Sequence, residues 1–294
     1  MPFDFNILFE QPALLLVYLF LAASLISLWI KRKIWVWGGL LLLATFLAVS
    51  IARIQWPALL FMFFYGIFTY FTFHAKKPVI NYLNGILVLI LSLLLWFHKI
   101  PGFLNWQIAS HIQLSNNAIP FPLYLNFDKA LVGLFILGFG GLPLITTMEN
   151  FITTLKRTGK ILIFGICLII LLSLTIGYVK WDPKFNTLFL VWALNNLIFV
   201  CISEEVLFRG FLQHHLENLL RPYRCGSSLA LLTAALLFGL VHVGNMTYIL
   251  MATFAGLFYG FIYQKTQKIE ASIFTHFILN CVHYIGFTYP ALMP

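Results

Sequence analysis

Long apolar runs separated by short polar connections dominate the pattern of this chain. A membrane-spanning helix needs about 20 predominantly apolar residues, and ten stretches approach that length. They are Pro12–Ile30, Ile34–Ala52, Gln55–Phe73, Val79–Phe97, Ala130–Met148, Ile161–Tyr178, Thr187–Ile202 with its continuation, Ser227–Val243, Thr247–Gln264 and Ala271–Tyr289. The pattern predicts an all-α polytopic membrane protein with about ten transmembrane helices.

The longest polar connection divides the predicted helices into two groups. Residues 1–100 hold four helices of unknown role, and residues 101–129 form a connection in which Trp106 and several prolines favour a short interfacial helix. Residues 130–294 hold six helices and every motif considered below. We therefore expect the functional core in residues 130–294, with its motifs within residues 187–289.

Composition excludes a soluble protein. The chain is 61% hydrophobic and only 9% charged, whereas a soluble domain is about a quarter charged. The net charge of +9 comes from basic residues that lie mostly between the apolar runs, which fits the positive-inside bias and not a nucleic-acid partner. This bias places the Lys31–Lys33 turn and the other odd-numbered connections in the cytoplasm. We expect an integral protein of a bacterial inner membrane.

Two adjacent glutamates interrupt the seventh run. Glu204 and Glu205 follow a long apolar approach, and Arg209 comes four residues after Glu205. A carboxylate at membrane depth is costly and by default marks a functional site with a partner. On a helix Arg209 would neighbour Glu205 and hold it as an ion pair, while Glu204 would point about 100° away.

Two further motifs follow on the next helices. Phe238 and His242 close one apolar helix, and His276 and Asn280 share one face of the last helix. Glu204 and His242 lie at similar distances along the chain from the turn between their helices, so an antiparallel pair would place them level. We expect these groups to meet in one cavity that opens to the cytoplasm.

Each group alone has an ordinary structural interpretation. A single histidine at a helix end is usually hydrogen-bonded and inert, and Glu205 with Arg209 would serve as a folding clamp. The occurrence of all these groups together, at compatible depths in the membrane, favours a functional site.

The three motifs resemble those of the CAAX prenyl protease and bacteriocin-processing (CPBP, Abi-type) family of intramembrane proteases, whose hallmarks are EExxxR, FxxxH and HxxxN. The resemblance implies that Glu204 activates water with the help of His242. It also implies that His276 and Asn280 stabilise the oxyanion, and that Glu205 and Arg209 orient the site.

The resemblance leaves two mechanisms open. Catalysis is either metal-independent or uses one divalent metal such as zinc, held by Glu204, His242 and His276 as a His₂Glu set. The HExxH motif of many zinc proteases does not occur in the chain.

The leading hypothesis is an intramembrane endopeptidase that hydrolyses a peptide bond of a membrane-associated or lipid-modified peptide or protein. Its partners would be this substrate and the lipid bilayer, and the sequence does not indicate an oligomeric state. The alternative is a non-catalytic membrane protein, either a proton-coupled transporter or a scaffold with a protease-like fold.

Overall fold

The computed structural model describes residues 6–293, and its regular structure is almost entirely helical. After a single turn at Asn6–Phe9, one helix overlaps the main part of each of the ten predicted stretches. These are α1 (Pro12–Ile30), α2 (Ile34–Ser50), α3 (Trp56–His74), α4 (Pro78–Trp96), α5 (Phe127–Phe139), α6 (Met148–Thr175), α7 (Leu188–Leu219), α8 (Gly226–Val241), α9 (Met246–Thr266) and α10 (Ile269–Gly286).

Six of these helices are long and apolar enough to cross a membrane. They are α1, α3, α4, α6, α7 and α9, whereas α2 and α8 are apolar but shorter. The described residues therefore confirm an all-helical fold with six candidate membrane-spanning helices, and the expected number of about ten spans is not confirmed.

The predicted span Ala130–Met148 is wrong in its extent. Helix α5 has 13 residues and ends at Phe139. Gly140, Gly141 and Pro143 follow, and they disfavour further helix. The Arg32 guanidinium donates hydrogen bonds to the carbonyl oxygens of Gly140 and Leu142, at 3.1 and 2.8 Å. These two carbonyl groups lie just beyond the end of the helix and thus have hydrogen-bond partners.

The connection after α4 contains strands where an interfacial helix was expected. Strands β1 (Trp106–Ile112) and β2 (Phe121–Leu125) form a two-stranded sheet. The start of β1 alternates between buried and exposed positions, with Trp106 and Ile108 buried. That period of two is typical of a strand and not of a helix.

The chain divides into two compact units, and the division falls within α7. The first unit comprises Met1–Ala109, Leu123–Leu142 and Leu194–Leu207, and the second comprises Ser110–Pro122, Pro143–Ala193 and Phe208–Pro294.

Each unit has one central helix. In the first unit, α5 packs against α1, α3, α4 and the part of α7 that carries the two glutamates. Most of its side chains are fully buried, which explains why a helix too short to span a membrane is so apolar. In the second unit, α9 packs against α6, α8 and α10.

Candidate active site

The helix that carries the two glutamates is irregular around them. Residues Asn196–Cys201 and Val206–Gln213 are π-helical, and the four residues Ile202–Glu205 between them form one α-helical turn. π-Helical turns are rare and occur frequently at functional sites. Glu204 is 3% exposed and Glu205 is 0% exposed, so both carboxyl groups lie inside the protein, as the sequence predicted.

A lysine that the sequence did not single out contacts Glu204. The ammonium nitrogen of Lys129 lies 2.8 Å from Oε1 of Glu204. It also lies 3.7 Å from the centre of the Trp96 ring, within the range of a cation–π interaction. The sequence placed Lys129 at the end of a connection, but the residue belongs to the first turn of α5.

In the second unit, Phe238 is the centre of a cluster that holds three of the predicted residues. Its ring centre lies 4.4 Å from the guanidinium carbon of Arg209, 4.5 Å from the ring centre of His242 and 6.0 Å from that of His276. The first residue of the FxxxH motif thus brings the other motifs of this unit together.

Arg209 is held by more than the aromatic rings. It is 1% exposed, and its Nη2 donates a hydrogen bond of 2.9 Å to the carbonyl oxygen of Gly256 on α9. Its guanidinium carbon also lies 5.4 Å from the ring centre of Tyr259. A charge this deeply buried needs such partners, and they connect the end of the EExxxR motif to the central helix of the second unit.

The hydrogen bond of His242 defines which ring nitrogen can accept a proton. Nδ1 lies 2.6 Å from the carbonyl oxygen of Phe238, one turn earlier on α8. A carbonyl oxygen only accepts hydrogen bonds, so Nδ1 carries the hydrogen and Nε2 is the unprotonated nitrogen of the neutral ring. This tautomer is the one required of a base that acts through Nε2.

His276 and Asn280 lie one turn apart on α10. The His276 ring stacks on Tyr259 with ring centres 4.5 Å apart and an angle of 16° between the planes. This contact fixes the ring orientation. His276 is buried, and Asn280 is partly buried, so α10 presents two hydrogen-bonding side chains on one face.

Among residues 6–293, no three His, Cys, Asp or Glu side chains are grouped so that they could hold a metal ion. The residues predicted as metal ligands are divided between the two compact units, with Glu204 in the first and His242 and His276 in the second.

Comparison with known families identifies the segment that carries these residues. Residues 186–282 match the family model described as type II CAAX prenyl endopeptidase Rce1-like. No curated protein and no solved structure matches the chain significantly. The matched segment contains all three motifs, from Glu204 to Asn280. Residues 186–282 are therefore similar to the Rce1-like family, which agrees with the resemblance of the motifs to the CAAX prenyl protease family.

Proposed function

We propose that this protein is a CAAX-type intramembrane endopeptidase that hydrolyses a peptide bond of a membrane-associated or lipid-modified peptide or protein. The observation that carries the proposal is the Rce1-like match over residues 186–282, which includes every motif residue. The burial of Glu204 and Glu205 in an apolar helix supports it. Ionisable side chains at membrane depth cost free energy, and they therefore usually mark a functional site.

In the proposed reaction, Glu204 and the Nε2 atom of His242 hold a water molecule, and Glu204 accepts its proton. The water oxygen attacks the carbonyl carbon of the scissile bond and forms a tetrahedral intermediate. His276 and Asn280 donate hydrogen bonds to its oxyanion. The C–N bond then breaks, and the proton held by the enzyme passes to the leaving amine.

Glu205 and Arg209 are proposed to orient the site. Arg209 would act through its contacts with Phe238 and the Gly256 carbonyl oxygen. Since Phe238 also contacts His242 and His276, a substitution of Arg209 would alter the packing of both histidine rings.

The first prediction concerns Glu204. Purified wild type, incubated in liposomes with a library of membrane-derived peptides, should give defined cleavage products that mass spectrometry detects. Glu204→Gln should lower their rate at least about 1000-fold, because the amide cannot accept the proton of water. The matched control is Glu149→Gln, which changes an exposed glutamate on α6 and should leave cleavage unchanged.

Two other outcomes have distinct meanings. Cleavage that a zinc chelator abolishes and added zinc restores would contradict the metal-independent mechanism and favour catalysis with one divalent metal. Full activity of Glu204→Gln would contradict the protease assignment and favour the non-catalytic alternative, a transporter or a scaffold.

A further inference from the structure

Helix α5 approaches the glutamate turn of α7 unusually closely. A Cβ atom added at Gly133 would lie 3.1 Å from both Cα and Oγ of Ser203. Glycine at this position lets the two backbones approach, as small residues do between membrane helices. Lys129 lies one turn before Gly133 and therefore on the same face of α5. The close approach at Gly133 thus brings Lys129 to the glutamate next to Ser203.

The backbone of Lys129 is fixed by its neighbour. The Asp128 carboxylate is 1% exposed and accepts a hydrogen bond of 2.8 Å from the Lys129 amide. Its oxygens also contact Nδ1 of His98 at 2.7 Å and Nδ2 of Asn105 at 2.9 Å. Asn105 in turn accepts a hydrogen bond from the Phe127 amide. The first turn of α5 is therefore held by a network of three polar side chains, and Lys129 extends from a rigid base.

The ammonium group of Lys129 is also held by its neighbours. Trp96 covers it from one side, and the Glu204 carboxylate binds it at 2.8 Å. The lysine and glutamate side chains are only 12% and 4% exposed. Water screens such a pair weakly, so the charge of Lys129 acts strongly on Glu204.

We propose that Lys129 is a positioning residue for Glu204, an inference that rests on the proposed function. Its ammonium binds Oε1, which fixes the rotation of the carboxyl group, and its positive charge lies against the carboxylate in an apolar surrounding. Both effects prepare Glu204 to accept the proton of water. Lys129 itself exchanges no proton with the substrate.

A stability cycle tests the ion pair without reference to activity. Lys129→Met and Glu204→Gln should each lower the midpoint of thermal unfolding in detergent, since each leaves a buried partner without its counterpart. The double variant should be more stable than the sum of the two losses predicts. Additive losses would overturn the proposal, whatever the enzyme cleaves.

Kinetics test the positioning role. Lys129→Ala should lower kcat about 10- to 100-fold, the loss expected for one charge-assisted hydrogen bond, and leave KM within about twofold. Ethylammonium ions should restore part of this loss, because a free cation can enter the space that the side chain leaves. Lys99→Ala removes an exposed lysine nearby and should show neither the loss nor the rescue.

The outcomes separate the two proposals. If wild type cleaves and Glu204→Gln does not, then unchanged kcat in Lys129→Ala refutes the role of Lys129 and leaves the protease assignment standing. A loss of kcat that ethylammonium never restores, together with a lowered unfolding midpoint, assigns Lys129 to folding alone and also refutes the role. If Glu204→Gln retains full activity, the protease assignment fails and takes the positioning role with it, whereas the stability cycle still decides whether the pair exists.

Discussion

Three buried charged residues of this protein each contact specific partners. Glu204 binds Lys129, Arg209 binds the Gly256 carbonyl oxygen and the Phe238 ring, and Asp128 binds His98 and Asn105. Each pairing offsets the free energy needed to remove a charge from water. A change of side-chain shape at such a position should therefore cost stability even where the charge is kept.

Arg209→Lys tests this expectation. A lysine keeps the charge but lacks the planar guanidinium group, which both lies over the Phe238 ring and donates a hydrogen bond to the Gly256 carbonyl oxygen. We expect the free energy of unfolding to fall by about 1–3 kcal/mol, measured by thermal unfolding in detergent. Arg224→Lys changes an exposed arginine and should have no effect beyond about 0.5 kcal/mol. Equal losses in both variants would contradict the specific role of the guanidinium group.

Residues of the site differ in how far sequence alone could identify them. Glu204, Glu205 and Arg209 stand out because charged residues are rare inside apolar runs, and His242, His276 and Asn280 follow from motif spacing. Lys129 could not be found this way. A lysine just before an apolar run resembles an ordinary flanking charge, and only the packing of α5 against α7 shows that it reaches Glu204.

At the level of elements, hydropathy predicted the positions of the helices along the chain better than it predicted whether lipid or protein surrounds them. Every predicted apolar stretch contains a helix, but the same apolar pattern suits a helix in lipid and a helix buried in protein. Helix α5 was therefore predicted as a span although it is enclosed by α1, α3, α4 and α7. The strands β1 and β2 were missed because the long connection was interpreted from its prolines and Trp106 rather than from its alternation.

The contact between α8 and α9 depends on a small residue next to Phe238. A Cβ atom added at Gly239 would lie 2.8 Å from the backbone oxygen of Ile249 and 3.0 Å from Cβ of Thr253. The Gly239 carbonyl oxygen also accepts a hydrogen bond from the His242 amide. Helix packing and the position of His242 are thus coupled at one glycine.

Gly239→Ala should lower the free energy of unfolding by about 1–3 kcal/mol, because α8 must move away from α9. Gly159→Ala on α6 provides the comparison. No atom lies within 4 Å of its added Cβ, and alanine favours helix over glycine by about 1 kcal/mol. Chemical denaturation should therefore show opposite or clearly unequal changes, and equal destabilisation by both alanines would exclude the packing explanation.

At the level of the whole molecule, the Rce1-like match covers about a third of the chain, yet the compact units do not follow that boundary. The segment Leu194–Leu207, with both glutamates, belongs to the same unit as the N-terminal helices. The first four helices and α5 therefore belong to the same compact unit as the two glutamates of the proposed site, which sequence motifs could not indicate.

We propose that the turn between α7 and α8, which contains Arg221 and Arg224, faces the cytoplasm and that the site opens to that side, because basic residues favour cytoplasmic connections. Cys225 is exposed in the turn between α7 and α8. In a variant that keeps only this cysteine, a membrane-impermeant maleimide should label inverted inner-membrane vesicles but not intact spheroplasts. Asn116→Cys in the same background lies in the long connection before α5 and should show the reverse. Labelling of Cys225 in spheroplasts would invert the proposed topology.

The π-helical stretches of α7 also affect how this protein can change by mutation. A π-helical stretch holds one more residue per hydrogen-bonded ring than an α-helix does. Deleting one residue within Val206–Gln213 would let that stretch close as ordinary helix, because the wider π-helical turn accommodates one extra residue. Where the deleted residue precedes Arg209, the spacing of Arg209 from Glu205 changes from four residues to three without replacing a single side chain of the motif. In this helix, a change in the number of residues can therefore alter the site even when the identity of every motif residue is kept.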